Sequence, residues 1–520
     1  MTSVALESGE SRKHRLRWWT LGVLCLSVLV VVIDSSILNV ALPTLQRELG
    51  ASASGLQWIV TSYILIFGGL LLTTGSLGDR FGRAMMLRCG LVVFALASMG
   101  AACIETTGQL IAARAVMGLG AAMIVPSTLS IAVDVFKGEE RTRAIAIWAA
   151  LNAVGIVLGP IFGGLILEHL SWEWLFLVNI PIAAAAMVLT FMLITESRDP
   201  EAKPLDVPGA LMSVVAVSSL VYAVIQGPDE GWTSRSVLVC FAVAALGGAA
   251  FVLRELRTRY PLLDLSFFKR RRFTVGAAAL ALQSLSLAGL NFGFTLYLQF
   301  VQGYSPLEAG IRFLPLAAGL MIGARSSERL VHYLGTTRVV AGGLLLMAAT
   351  LPLIMLWQAD SPYWLVGSVL AMVGFGVGNV AAPAVDAIMG AVPEARAGVA
   401  SATNSVIRMV GAALGVATLG SIMNTLYSGK VADAVASLPP EYAEAARGSV
   451  GAAVTIASSL PGEAGPALQS AAGNAFADAM GEVGIISAAV MAVTALLVLV
   501  FMPSLAENRV EGQAGPDSGR

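Results

Sequence analysis

Asp34 can do chemistry from a costly place. It is the one charged side chain in the run from Leu24 to Leu42, and a carboxylate in a span that could cross a bilayer costs several kcal/mol when ionised. Such a residue has a partner or a task, and the task open to a lone carboxyl at depth is to take up and release a proton. A second charge, Arg114, lies in the apolar run Leu110 to Ala122. If the first span runs outward and the fourth inward, Arg114 is about 9 Å and Asp34 about 12 Å from the outer helix ends, at 1.5 Å per residue. The two can share one depth. Protonating Asp34 would then release Arg114, which makes the pair either a switch element or a permanently satisfied ion pair.

Other chemistries find little support. The three histidines, His14, His169 and His332, fall at helix ends far apart in sequence, and no phosphate-binding loop of the Gly-x-x-x-x-Gly-Lys-Ser/Thr kind is present. Cys25, Cys89, Cys103 and Cys240 lie in or beside apolar runs without metal-ligand spacing, and read as small hydrophobes. The expectation is no enzyme, no metal and no cofactor beyond the proton.

These residues must be positioned by membrane helices. Of 520 residues 57% are hydrophobic and only 12% charged, with 54 glycines, whereas soluble domains carry about 25% charged residues. The apolar runs are too long for barrel strands and long enough, at about 20 residues, for helices. Fourteen candidates follow, from 17–42 to 482–503. With the N-terminus inside, 25 of the 32 lysines and arginines fall on the inner side, five outside, and two, Arg114 and Arg408, within spans. This bias places both termini in the cytoplasm. Polar breaks at Glu196 to Asp206 and Arg254 to Arg272 divide the chain into a six-helix half, 1–196, an inserted pair, 197–260, and a second six-helix half, 261–503, with a tail, 504–520. The basic run Lys269 to Arg272 reads as an anionic-lipid contact. The long outer segment, 427–480, should hold short helices such as Tyr442 to Ala453 and Ala467 to Met480, since structureless loops of this length are uncommon.

Three motifs lie on this frame. Gly75, Asp79, Arg80, Gly82 and Arg83 form a tight, charged turn between the second and third spans, with a degraded echo at Glu328-Arg329 and Gly335 to Arg338. Physics alone allows an ordinary positive-inside turn or a latch between helix ends. Arg114, Gly118 and Gly120 form the second motif. In the fifth span Gly155, Gly159 and Gly163 recur every four residues beside Pro160 and Gly164, a smooth ridge with a bend that lets a neighbouring backbone approach.

Together with Trp58 to Tyr63, Trp172 to Pro181, Tyr297 to Ser305 and Ala397 to Ala402, these motifs resemble the 14-span drug:H+ antiporter branch of the major facilitator superfamily over nearly the whole chain. The resemblance implies an all-α integral membrane fold of fourteen helices, two six-helix halves plus a central pair. It makes Gly75 to Arg83 a conformational latch, Gly155 to Gly164 the antiporter motif, and Asp34 with Arg114 the proton-coupling site. The implied function is proton-driven export of amphiphilic drugs, antibiotics or dyes across the cytoplasmic membrane by alternating access. A proton symporter for import and a membrane sensor are the alternatives. The expected partners are an amphiphilic substrate, protons and membrane lipid around a monomer, with no nucleic acid.

Members that export bulky dications carry further acids, where this chain has Leu320, Asn404, Ser405 and Met409, and Arg408 stands in the thirteenth span. Asp386 is the deep acid of the second half, read equally as a functional carboxyl or as a helix-end group meeting Arg396 or water. Gln57, Tyr63, Asn152, Gln283, Asn291, Tyr297, Gln299 and Asn379, with Asp386 and Arg408, are candidates to line a central cavity or to mediate helix packing.

Overall fold

The computed structural model describes residues 2–198, 206–258, 261–392 and 397–502, without the side chains of 2–16, ten positions of the fifth span including Asn152, and 397–398. The calls on Asn152, Arg396, Ala397, Gly398 and the 504–520 tail lie outside this description. The order is α1 (Thr2–Leu49), α2 (Ala53–Phe81), α3 (Arg83–Ala101), α4 (Thr107–Val135), α5 (Gly138–His169), α6 (Trp174–Leu177) and α7 (Asn179–Leu193). Two further helices follow, α8 (Val207–Glu230) and α9 (Arg235–Arg257). The rest are α10 (Arg271–Leu296), α11 (Pro306–Arg312), α12 (Leu314–Leu334), α13 (Thr336–Thr350), α14 (Tyr363–Gly390), α15 (Ala397–Val431), α16 (Pro440–Gly448), α17 (Val450–Ser459) and α18 (Ala464–Phe501).

Thirteen segments among the described residues are long and apolar enough to cross a membrane, and the 32-residue α5 makes fourteen. The chain is a multi-pass helical membrane protein. Helix starts carry local signals: Ser52, Asp206, Ser234 and Ser449 accept a backbone N–H three residues on, and Thr106 with Gln109 and Ser305 with Glu308 form capping boxes. Gly82 and Gly335, each between two helices, have φ of 133° and 81°, conformations that favour glycine. These matching turns strengthen the echo between the two halves.

Two boundaries differ from the expectation: Tyr442 to Ala453 is split at Ser449 between α16 and α17. Ala467 to Met480 is not a separate outer helix but the first half of α18, which continues unbroken to Phe501. Alanine sustains a helix where hydropathy alone reads a loop.

Helices α1–α7 pack together, as do α10–α15 with α18. The groups meet along two seams, α2 against α15 and α5 against α11, and the inserted α8 lies over the first of these. Three hydrogen bonds join the groups among the described residues: Gln299 Nε2 to the Val40 carbonyl at 2.7 Å, Ser421 Oγ to Gln57 Oε1 at 3.3 Å, and Gln46 Nε2 to Ser449 Oγ. All lie toward the end remote from the N-terminus. There too the backbones interlock, since a Cβ at Gly164 would overlap Leu307 and one at Gly310 would overlap the Pro160 carbonyl. The bundle is therefore closed at that end.

Candidate functional site

Asp34 and Arg114 are in contact. Arg114 Nη1 lies 2.6 Å from Asp34 Oδ2, and the side chains are 1% and 2% exposed. Depth alone brought them level; packing makes them touch. Gly155 meets Val32, Gly159 meets Ser36 and Gly163 meets Ile37, so the α5 ridge presses on α1 at residues flanking Asp34. From α4, Gly118 approaches the Tyr63 carbonyl, which draws α2 in. The guanidinium stacks over the Tyr63 ring at 4.2 Å, a cation–π contact strengthened where water is excluded.

A third polar residue completes the cluster. Asn179, fully buried at the start of α7, donates from Nδ2 to Asp34 Oδ1 at 2.9 Å and approaches Ser98 Oγ at 3.3 Å. Each carboxylate oxygen thus has one donor, one charged and one neutral. Sequence reasoning assigned Asn179 no role; its only signal was a polar residue in Trp172 to Pro181. The Tyr63 hydroxyl, Arg114 Nε and Asn179 Oδ1 are buried without hydrogen-bond partners among the described residues. Unpaired buried polar atoms are costly.

At the N-terminal end of the bundle, Arg83 Nε binds Asp79 Oδ1 at 2.8 Å and reaches Asp134 on α4 at 4.0 Å, while Arg80 lies over Phe81. Glu196, beyond α7, accepts the backbone N–H groups of Ala84 and Met85, both at 3.0 Å, and Arg83 N–H binds the Ser197 carbonyl. The carboxylate caps α3 at its positive end, and a Cβ at Gly82 would strike it at 2.6 Å. These contacts tie α2, α3, α4 and the end of α7 within one half. Glu196 was visible in the sequence only as the edge of a polar break.

Of the cavity candidates, several are packed. Gln57 binds Ser421 in the closed end, and Tyr63 lies under Arg114. The Tyr297 hydroxyl donates to the Gln358 carbonyl at 2.7 Å with its ring against Trp357, and Gln299 holds Val40. Gln283 faces the Val377 carbonyl, and Asn379 donates to the Phe375 carbonyl beside Ser326. Asn291 is half-buried with no side-chain hydrogen bond among the described residues. Asp386 is exposed near the end of α14, and Arg408 is accessible though mid-helix and closely enclosed by protein; neither has a charged partner among the described residues. Among the described residues no cluster of three histidine, cysteine or acidic groups could hold a metal.

A family model described as Major Facilitator Superfamily matches residues 24–416. The multidrug efflux pump LfrA of Mycolicibacterium smegmatis is 36% identical over 482 residues, covering 92% of this chain and 95% of that one. The methyl viologen resistance protein SmvA of Salmonella typhimurium is 33% identical over 464 residues, 88% of this chain and 93% of its own. Among solved structures, a bacterial homolog of the lysosomal transporter Spinster, in an inward-facing, unoccupied conformation, superposes with a TM-score of 0.64 at 19% identity. That likeness covers 94% of this chain and 99% of the other, and it is a likeness of fold.

Proposed function

The chain belongs to the major facilitator superfamily, and from this premise we propose that it is a proton-coupled antiporter exporting amphiphilic organic compounds across the cell membrane. The observation that carries the reading is the buried Asp34–Arg114–Asn179 cluster, a titratable carboxyl held by one cation and one amide where three helices meet. The efflux and resistance names of relatives alike over nearly their whole length point the same way.

Both termini lie in the cytoplasm, so the closed end of the bundle is the outer one and the conformation faces inward. An amphiphile binds between the halves, where Arg408, Asp386 and Asn291 offer polar contacts among apolar walls. With Asp34 paired to Arg114, the halves rock, the outer contacts part and the substrate leaves. A proton from outside then joins Asp34, Arg114 is released, and the return to the inward state delivers the proton inside. Gly75 to Arg83 with Glu196 holds the inner helix ends as one body during the swing. The scarcity of acids beyond Asp34 and Asp386 fits monocationic or neutral substrates better than strong dications.

Inverted vesicles with an imposed proton gradient test the reading. Wild-type protein is expected to accumulate a fluorescent amphiphilic dye in them, and Asp34→Asn to lose gradient-driven uptake while remaining in the membrane. Flux of opposite sign would make the protein an importer, and wild-type rates in Asp34→Asn would remove Asp34 from the coupling.

A further inference from the structure

In the cycle proposed above, proton uptake at Asp34 deprives the Arg114 guanidinium of its carboxylate. Both side chains are almost wholly buried, and a buried charge without a partner is strongly destabilising. An arginine side chain stays protonated in proteins, so the released cation must be received by something else. Among the described residues two groups that can receive it are already in contact. Met117 Sδ lies 3.8 Å from Nη1, and a thioether is a weak acceptor. The Tyr63 ring has its centroid 4.2 Å from the guanidinium carbon.

Tyr63 is held in that position from several sides. Ser62 Oγ donates to the carbonyl of Ile111, three residues before Arg114, at 3.3 Å. A Cβ at Gly118, four residues after Arg114, would come within 2.6 Å of the Tyr63 carbonyl oxygen. These two contacts bind α2 to α4 on either side of the pair. Phe67, one turn along α2, meets the Tyr63 ring edge to face at 5.9 Å and limits its tilt. The hydroxyl contributes nothing to the fit, since it is buried without a hydrogen-bond partner among the described residues. What Tyr63 offers is the face of its ring, which attracts a cation most strongly where water is excluded.

We propose that the Tyr63 ring is the seat of the Arg114 guanidinium while Asp34 is protonated, so that the cation passes from carboxylate to ring and back in each cycle. This rests on the coupling role given to Asp34. The proton alone enters and leaves, on the Asp34 carboxyl, and Arg114 keeps its charge; Tyr63 is a positioning residue. The seat also reaches the other half. Helix α2 meets α15 through Gln57 and Ser421 at 3.3 Å, and again at Gly68, where a Cβ would meet Met409 at 2.9 Å. Tyr63 stands between these contacts, about 9 Å along the helix from Gln57 and about 7.5 Å from Gly68. A cation that moves from α1 onto Tyr63 therefore bears on α2 between its two contacts with α15, and so ties the proton to the seam between the halves.

The test replaces Tyr63 in the full chain by phenylalanine and by phenylalanines with one, two and three ring fluorines, which withdraw charge from the ring face at nearly constant size. In inverted vesicles with an imposed proton gradient, Tyr63→Phe is expected to keep dye uptake. The rate should then fall in step with the number of fluorines, about tenfold in all. A packing role would not follow that series. A flat series, or loss already in Tyr63→Phe, which removes only the hydroxyl, would overturn the proposal.

A second measurement needs no transport. The fluorine resonance of Tyr63→4-fluorophenylalanine is recorded in nanodiscs with and without Asp34→Asn, which stands in for the protonated carboxyl, and again with Arg114→Gln added. Asp34→Asn should move the line by more than its width when Arg114 is present and leave it in place when Arg114 is absent. No movement, or the same movement in both backgrounds, would show that the cation does not settle on the ring. Wild-type pumping by Asp34→Asn would sink the coupling reading, and the fluorine line would still decide whether the ring receives Arg114.

Discussion

At the scale of single residues, the cluster on Asp34 shows what a sequence can and cannot disclose. Asp34 and Arg114 were legible because charges in apolar runs are costly and helix geometry fixes their depth. Asn179 was not, because nothing local relates it to a carboxyl 145 residues earlier. Its placement depends on the break between α6 and α7, which aims the first residue of α7 at α1. Asn179→Leu removes one of the two donors to the carboxylate while preserving size. Since hydrogen bonds to charged groups are worth about 1.5–3 kcal/mol, dye export in vesicles should fall about tenfold or more. An unchanged rate would mean that Arg114 alone sets the carboxyl. Glu255, at a helix end next to arginines, carries no local sequence signal of the burial that the fold gives it.

Helices and their contacts were the most legible scale. All fourteen spans could be read because each comes close to or exceeds the apolar length of about 20 residues that a bilayer demands. The glycine period in the fifth span implied a close neighbour without saying which. The structure supplies α1 for Gly155, Gly159 and Gly163 and, on the other side of the motif, α11 of the second half for Pro160 and Gly164. One stretch therefore serves packing within a half and closure between halves. Gly159→Leu should force α1 and α5 apart at Ser36, two residues from Asp34. The expected outcome is a protein that inserts but exports dye at under a tenth of the wild-type rate. Gly100→Ala, where a Cβ meets nothing within 4 Å, is the matched control and should be silent. The polar cavity candidates were less legible, because Gln57, Tyr297 and Asn379 look alike in sequence whether they face a substrate or a neighbouring carbonyl.

For the whole molecule, the conformation is defined by where the halves touch, and no sequence pattern encodes that. The long connection after α15 contributes directly: Ser449, at the start of α17, takes the amide of Gln46 on α1, and Gly451 packs against Gln46 and Phe300. Tyr427 anchors the hairpin from below by donating to the Ala446 carbonyl at 2.9 Å. If the halves rock, this bridge must break in every cycle. In a background without the four native cysteines, Gln46→Cys with Ser449→Cys should form a disulfide under mild oxidation and stop export, and reduction should restore it. Undiminished export by the crosslinked protein would show that the outer end does not part there.

The same bridge gives the protein a handle on the face away from its termini. Helix α17, with Ser449 before it, belongs by connectivity to one half and by contact to both, so the surface of the α16–α17 hairpin would differ between closed and open forms. In the orientation and cycle proposed above, a protein binder raised against that surface in the closed form would hold the cycle at one stage without crossing the bilayer or competing for the substrate. Inhibition from that side would then be a matter of shape recognition at a helical hairpin, independent of which compounds are carried.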